Sequence, residues 1–427
     1  MRRFYLQLLL AFVCMFGSAQ TASAQFWKNW FRKEEKHTYH KKVKPINTEP
    51  KKSINPFKKK DIEFPESKVK SRYRVDVFVA LYLNSLIKGD KPTFKGRIPE
   101  HALVGIDFYE GLKLAADTLN DYGYNIDVYV HDVTDSATSP HKLMAAHELD
   151  QSDLIIGALN PHDLGPLANF AKKHQINFVS ALSPFDGGVR NNEYFILLQP
   201  SLQSHCERIK DIVKDRYRGQ KPILLYSTDA KVEAQAYNYL KDEDFHAVQC
   251  NALPKKEQLA KLLDSTADNV IIAGIMDNNF AEKLLLHLND LFPDYKFNIY
   301  GMPSWKGMNS LKKPEAYPNI AVYISEPFYF DISTASGQAL ANMYQNEAKG
   351  SKPSEMVFRG YETMYWFAYL LNKYGTIFNE KFRDNGVSPF TRFDIREEKD
   401  DEGNFLYFEN KHICLYRYQS SSYMVEQ

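Results

Sequence analysis

From Val75 onward the chain alternates short apolar runs with amphipathic stretches of helical period. Val75–Leu83, Asn125–His131, Asp153–Gly157 and Ile176–Ala181 read as strands, with helices at Gly105–Tyr122, Ser139–Leu149 and Leu164–His174 between them. In the first helix Phe108, Leu112, Leu114, Ala115, Ala116 and Leu119 form one apolar stripe. A weak strand at Tyr194–Gln199 ends this set at Pro200-Ser201, and a second alternation begins. Its strands are Pro222–Ser227, His246–Gln249, Asn269–Gly274, Lys296–Gly301 and Ile320–Ser325. Its helices are Leu202–Tyr217, Val232–Leu240, Lys255–Leu263 and Phe280–Leu291. Helices at Ser333–Glu347 and Tyr361–Tyr374 follow, then strands near Phe390–Ile395, Phe405–Phe408 and Ile413–Tyr418. Strands alternating with helices predict βαβ units and parallel sheets. Two β/α sets of similar size predict an α/β protein of two similar lobes with a cleft between them.

The most informative stretch is Asp153 to Pro166. Leu154–Ile156 has the short, partly β-branched character of a strand covered on both faces. Asn160 suits a helix N-cap, Pro161 the first helical position and Asp163 the first turn. Ligands of open α/β sheets sit at the carboxyl ends of the strands, so this turn is expected to face a ligand. The same rule selects Tyr82 and Asn84 after the first strand and Asp132 at the end of the second. In the second set it selects Ser227, Thr228 and Asp229, and then Asp277. Each has a plainer role open to it: a rim aromatic for Tyr82, a turn or helix cap for the aspartates. Phe328 and Tyr329 line either the cleft or a hinge. The segment Ser85–Val104 exceeds the usual length of a strand–helix loop and suits a lid, a docking loop or a plain mobile loop.

The first 24 residues change the picture of location. Arg2-Arg3, the apolar Leu6–Phe16 and Ala22-Ser23-Ala24 make a secretory signal with its cleavage site. Cys14 is preceded by Phe12 and Val13, where a lipid-anchor signal carries small residues, so no lipid anchor is expected. No later window is apolar enough to span a bilayer, and the expected location is the periplasm or the extracellular space. Residues 26–74 carry 16 Lys/Arg against 6 Asp/Glu, a charge of +10. With Arg2 and Arg3 set aside, the net +1 leaves 1 − 2 − 10 = −11 on residues 75–427. Residues 25–74, with Pro45, Pro50, Pro56 and Pro65, read as a disordered basic tether. Such a tether is either a solvated spacer or a means of reaching an anionic surface. The acidic body and export disfavour nucleic acid as a partner.

Catalytic and cofactor chemistry has no motif behind it. His147-Glu148 lacks the second histidine of a metalloprotease helix, because residue 151 is Gln, so no metal is assigned. There is no G-x-S-x-G elbow, Walker loop or dinucleotide glycine pattern. Cys206, Cys250 and Cys414 lack C-x-x-C spacing and read as small buried hydrophobes, or as one bridge plus a free thiol.

The order strand, long helix, strand ending His131-Asp132, Leu154-Ile155-Ile156-Gly157 and Ile176 to Pro184 resembles type I periplasmic binding proteins, most closely their Leu/Ile/Val-binding branch. Phe358-Arg359-Gly360-Tyr361-Glu362-Thr363-Met364-Tyr365 is similar to that family's late Gly-Tyr-Asp helix start. The resemblance implies two Rossmann-like lobes joined by three crossovers, expected near Gln199, Glu326 and Val387. Lobe one would be residues 75–198 plus 330–385, and lobe two 199–329 plus 386–427. It implies no enzyme activity and no cofactor, a small-molecule ligand (amino acid, peptide or cell-wall fragment), and an ABC-transporter permease or cell-wall partner. The ligand-binding loops would be Ala158, Leu159 and Asn160 after the third strand and Ala181, Leu182 and Ser183 after the fourth. Where amino-acid binders place hydroxyl side chains, this chain carries Pro161 and Pro184, which offer neither a hydroxyl nor an N–H. Each lost charge-assisted hydrogen bond costs about 1.5–3 kcal/mol, so a free amino acid is held poorly unless Asn160 and Ser183 substitute. The implied function is an exported solute-binding or ligand-sensing protein. The alternative is a cell-envelope interaction module on the same scaffold, such as a regulator of peptidoglycan synthesis.

Overall fold

The computed structural model describes residues 62–419 except 314–316, 349 and 385–387, together with the backbone of 422–426. The expected signal and most of the expected tether lie outside the described residues. In chain order the first elements are β1 (Tyr73–Val79), α1 (Leu83–Leu86), β2 (Ile87–Lys88), β3 (Lys91–Pro92), α2 (Glu100–Asp121), β4 (Ile126–Asp132), α3 (Pro140–Ala145), β5 (Leu154–Gly157), α4 (Pro161–His174), β6 (Asn177–Ser180) and β7 (Phe195–Leu197). There follow α5 (Leu202–Arg216), β8 (Ile223–Tyr226), α6 (Lys231–Leu240), β9 (His246–Gln249), α7 (Lys256–Leu259), β10 (Asp268–Gly274), α8 (Asn278–Leu291), β11 (Lys296–Gly301) and β12 (Ile320–Glu326). The last are α9 (Ala335–Glu347), α10 (Glu355–Tyr374), β13 (Ile395–Lys399), β14 (Phe405–Asn410), β15 (Cys414–Gln419) and β16 (Ser422–Glu426).

Two seven-stranded sheets organise these elements, in the orders β13-β14-β7-β6-β5-β1-β4 and β16-β15-β12-β11-β10-β8-β9. The strands from β4 to β7 run parallel in the first, as do those from β9 to β12 in the second. Antiparallel pairs appear only towards one edge of each sheet, at β13–β14 and at β12–β15–β16. The apolar run of β5 shows why the first sheet is central to its lobe. Leu154 and Ile156 enter the cluster under α2 and α10, while Ile155 enters the opposite cluster under α4. All three are 0% exposed. At roughly 1.5–3 kcal/mol per fully buried aliphatic side chain, slipping this strand by one residue would be prohibitive.

Helices α2 and α10 cross at two glycines. A Cβ on Gly111 would stand 2.0 Å from the Val357 carbonyl oxygen, and one on Gly360 would stand 2.0 Å from that of Phe108. Nothing larger than hydrogen fits there. The crossing places the start of α10 beside the start of α2, and Ser354 donates to the Asp107 carboxylate at 2.6 Å.

Three features depart from the sequence reading. The sequence reading places residues 386–427 in the second lobe, yet β14 pairs in parallel with β7 through Phe408 and Ile196. Tyr407 packs edge-on against Phe195 and Phe408 against Phe382, so aromatic burial fixes this hairpin on the first sheet. The chain therefore passes between the sheets after Leu197, after Glu326 and between Asn410 and Cys414. The expected third crossing at Val387 lies outside the described residues, and strands beyond it still belong to the first sheet. Secondly, part of the expected tether is docked: Ser67 donates to the Tyr374 carbonyl at 2.6 Å, and Phe64 packs on Tyr194. Thirdly, much of the expected long loop Ser85–Val104 is structured, carrying part of α1, the β2–β3 hairpin and the first turn of α2. The three mature cysteines are all free and buried.

Candidate functional site

The strand ends of the first lobe form one row, because β4, β1, β5 and β6 are neighbours. At the end of β4, Asp132 is buried and points back along the row. Its carboxylate accepts the N–H groups of Leu81 and Leu83 at 3.0 and 2.9 Å, and both the N–H and hydroxyl of Thr134. Those four bonds make Asp132 the clamp of the β1–α1 turn rather than a free ligand contact. The residue between the two clamped amides is Tyr82, with φ 56° and ψ 29°. A tyrosine in the left-handed region costs about 1–2 kcal/mol, and such strain concentrates at functional positions. Tyr82 is half-buried, edge-on to His101 at 4.7 Å, and Asn84 beside it is exposed.

After β5, Ala158 is half-buried and Leu159 buried. Asn160 caps α4 as its sequence suggested, accepting the His162 and Asp163 N–H groups at 2.9 and 3.1 Å. After β6, Ala181 and Leu182 are buried, and Ser183 is turned inward to accept the Phe185 N–H at 3.1 Å. In the second lobe Ser227 is buried and accepts the Asp229 N–H at 3.2 Å, Thr228 accepts from Gln249, and Asp229 accepts from Asn251. Asp277 caps α8 through the N–H groups of Asn279 and Phe280. The candidates thus gather as two rows, one per sheet. Asn160, Ser183, Asp277 and Asp132 spend polar capacity on their own turns.

What joins the rows was not foreseen. Lys306, in the turn after β11, pairs with Glu326 at the end of β12 at 3.1 Å and with Glu355 in the first turn of α10 at 2.9 Å. This ion pair crosses between the lobes. Burial works against the Lys306 charge, but Glu326 and Glu355 outweigh it and raise its pKa. Burial raises the pKa of Glu326, whereas Lys306 and Arg359 overcome burial at Glu355 and lower it. One turn on, Arg359 lies 4.0 Å over the Phe328 ring and donates to Gln199. The second and first crossings are thereby tied to α10. Glu409 ties the third crossing to the first, accepting from the Ser201 N–H, the Ser204 hydroxyl and Lys411. Phe328 consequently serves the hinge, the plainer of the two roles considered for it. The signal that could have found this network was the charge of Arg359 and Glu362 inside the apolar run Met356–Met364.

Glu362 is buried and receives the N–H and hydroxyl of Thr391 at 2.9 and 3.2 Å. Burial pushes its pKa up to about 8, from an ordinary 4.5. Burial likewise lifts Asp107 to about 6 and Glu110 to about 7. For such groups the folded chain holds protons that the unfolded chain releases, so stability falls as pH rises between the two values. The melting temperature is therefore expected to decline from pH 5 to pH 8. Glu362→Gln, whose oxygen still accepts the Thr391 N–H and whose amide can donate to the Thr391 hydroxyl oxygen, should flatten that decline; an unchanged slope in thermal melts would contradict the assignment.

The sequence pattern that describes the periplasmic binding proteins matches residues 100–387, a span that takes in β4 to β12 and so strands of both sheets. No curated protein sequence matches the chain. Among solved structures, a branched-chain amino acid ABC transporter periplasmic ligand-binding protein from Burkholderia xenovorans superposes with a TM-score of 0.54 at 14% identity, covering 83% of this chain and 95% of that one. An ABC transporter substrate-binding protein from Desulfitobacterium hafniense gives 0.50 at 15% identity, covering 83% and 100%. Full-length LpoA from Haemophilus influenzae gives 0.54 at 13% identity, covering 85% of this chain and 60% of LpoA. At these identities the likeness is one of fold. Members of the matched family are typically non-enzymatic binders placed outside the cytoplasm, and among the described residues no helix is long and apolar enough to cross a membrane. The family match, with two parallel sheets linked by three crossings, establishes that the chain belongs to the periplasmic binding protein family in its two-lobed, type I form.

Proposed function

We propose that this is an exported, non-catalytic binder that holds a small molecule between its lobes, at Tyr82, Asn84, Ala158–Asn160 and Ala181–Ser183 on one side and Ser227–Asp229 and Asp277 on the other. Tyr82 carries the reading: a strained aromatic clamped on both sides by Asp132 has a purpose beyond packing. The ligand it suits is amphipathic, a short peptide or a cell-wall fragment, that can stack on the ring and meet backbone groups. A free amino acid suits it less, because the side chains of Asn160 and Ser183 are committed to their own turns. The amino-terminal signal would deliver the protein across the membrane without a lipid anchor, and a permease would receive the ligand.

Thermal melts against amino acids, short peptides and muropeptides test this. At a ligand concentration of about 100 Kd the gain is about 2.7 kcal/mol. Tyr82→Gly removes the backbone strain and should leave the free protein's melting temperature within a few degrees while abolishing the ligand-induced rise. If none of the three ligand classes raises the melting temperature, the cleft reading is wrong.

The second reading, an envelope interaction module, draws on the Lys306–Glu355 pair, which ties the lobes to each other, and on the +10 charge of residues 26–74. It predicts salt-sensitive cosedimentation with purified peptidoglycan that is lost when residues 25–61 are removed. Equal sedimentation of both forms would count against it.

A further inference from the structure

On the outer layer of the first lobe, α3 and α4 bring together two imidazoles and a carboxylate that nothing above employs. His141 Nε2 lies 3.4 Å from Asp163 Oδ1, and His162 Nδ1 lies 3.2 Å from the same oxygen. The three ligand atoms all lie within 4.8 Å of one another. The other carboxylate oxygen is held at 2.7 Å by the Asn160 side-chain amide, which leaves Oδ1 turned towards both rings. We propose that His141, His162 and Asp163 form a binding site for a divalent transition metal, of the kind that zinc occupies.

The distances fit that chemistry. Zinc sits at about 2.0–2.2 Å from histidine nitrogen and carboxylate oxygen. A tetrahedron of that radius has edges of about 3.3 Å, matching the two nitrogen–oxygen separations. Only the His141–His162 edge must contract, and both rings are free to turn, with side chains 48% and 84% exposed. Two imidazoles with one carboxylate select zinc and its neighbours over calcium or magnesium, which take oxygen ligands. Asn160 acts as the outer partner that orients a ligating carboxylate. The amino-terminal dipole of α4 opposes a cation, and the charge of Asp163 offsets it. Three protein ligands leave a fourth position for water or for an anionic group.

The full mature chain can be titrated with zinc against a chromophoric chelator, and with cobalt(II) read by its visible absorption. A His141→Ala/His162→Ala double variant should lower the zinc stoichiometry by one and remove the tetrahedral cobalt band. Asp163→Asn should weaken the site by at least about tenfold, as should Asn160→Ser, which keeps an N-cap oxygen but loses the orienting amide. His147→Ala, outside the site, should change nothing. Both histidines are exposed, so melting curves without metal should coincide with wild type and exclude misfolding. An unchanged stoichiometry in the double variant, or a wild-type chain that takes up no zinc, would overturn the proposal.

Discussion

Gly360→Ala is expected to destabilise the protein by about 3 kcal/mol, the upper end of the cost of forcing extra volume into a packed interior. For a lobe of this size that corresponds to a fall in melting temperature of roughly 6–12 °C. The cause is local and rigid. The added Cβ would meet the Phe108 carbonyl oxygen at 2.0 Å and the Leu112 nitrogen at 3.0 Å. Both are backbone atoms of α2, so no rotamer change relieves the clash and the helices must separate. Separation would uncover Phe108, Leu112, Val357 and Met364, all buried in the same cluster, and would move Glu355 away from Lys306. Gly96→Ala provides the comparison. There a Cβ has nothing within 4 Å and only the φ of +81° to tolerate, a cost of about 1–2 kcal/mol. Calorimetry of the two variants should rank them clearly; equal losses would mean that the crossing is looser than described.

Lys306→Met should cost about 3–5 kcal/mol at pH 7, the range for removing one member of a buried ion pair and leaving the rest uncompensated. Glu326 and Glu355 would face each other without the cation that bonds to both. Without Lys306 the already raised pKa of Glu326 climbs further and the lowered pKa of Glu355 moves up with it, so on acidification the folded chain takes up protons before the unfolded chain does. The loss should therefore shrink as pH is lowered from 7 to 5. Denaturant titrations at the two pH values check this, and a deficit independent of pH would show that methionine acts through packing instead. Because the pair spans the lobes, the same variant should also loosen their association.

The fold was largely legible because parallel strands covered on both faces leave an unambiguous trace: β5, β10 and β12 are near-continuous apolar runs, each bounded within one residue of where the sequence places it. The cap at Asn160 was equally readable, since capping is decided within four residues. Non-local choices were not. β14 could have joined either sheet, and what assigns it to the first is the contact of Tyr407 with Phe195, more than 200 residues away in sequence. α7 forms only four residues of the helix expected over Lys255–Leu263. The candidate site was half legible. Strand ends name the loops, but whether Asp132 offers its carboxylate to a ligand or to Leu81 and Leu83 depends on a turn geometry that no spacing records. Lys306, Glu326 and Glu355 come from three separate segments, and nothing in any one of them announces the other two.

Amide hydrogen exchange on the full chain, with and without a saturating peptide or muropeptide that raises its melting temperature, addresses ligand capture between the lobes most directly. Protection should appear together at residues 158–160 and 181–183 of the first lobe and at 227–229 and 277 of the second. Protection confined to one lobe, or spread away from the strand ends, would contradict capture between the two sheets.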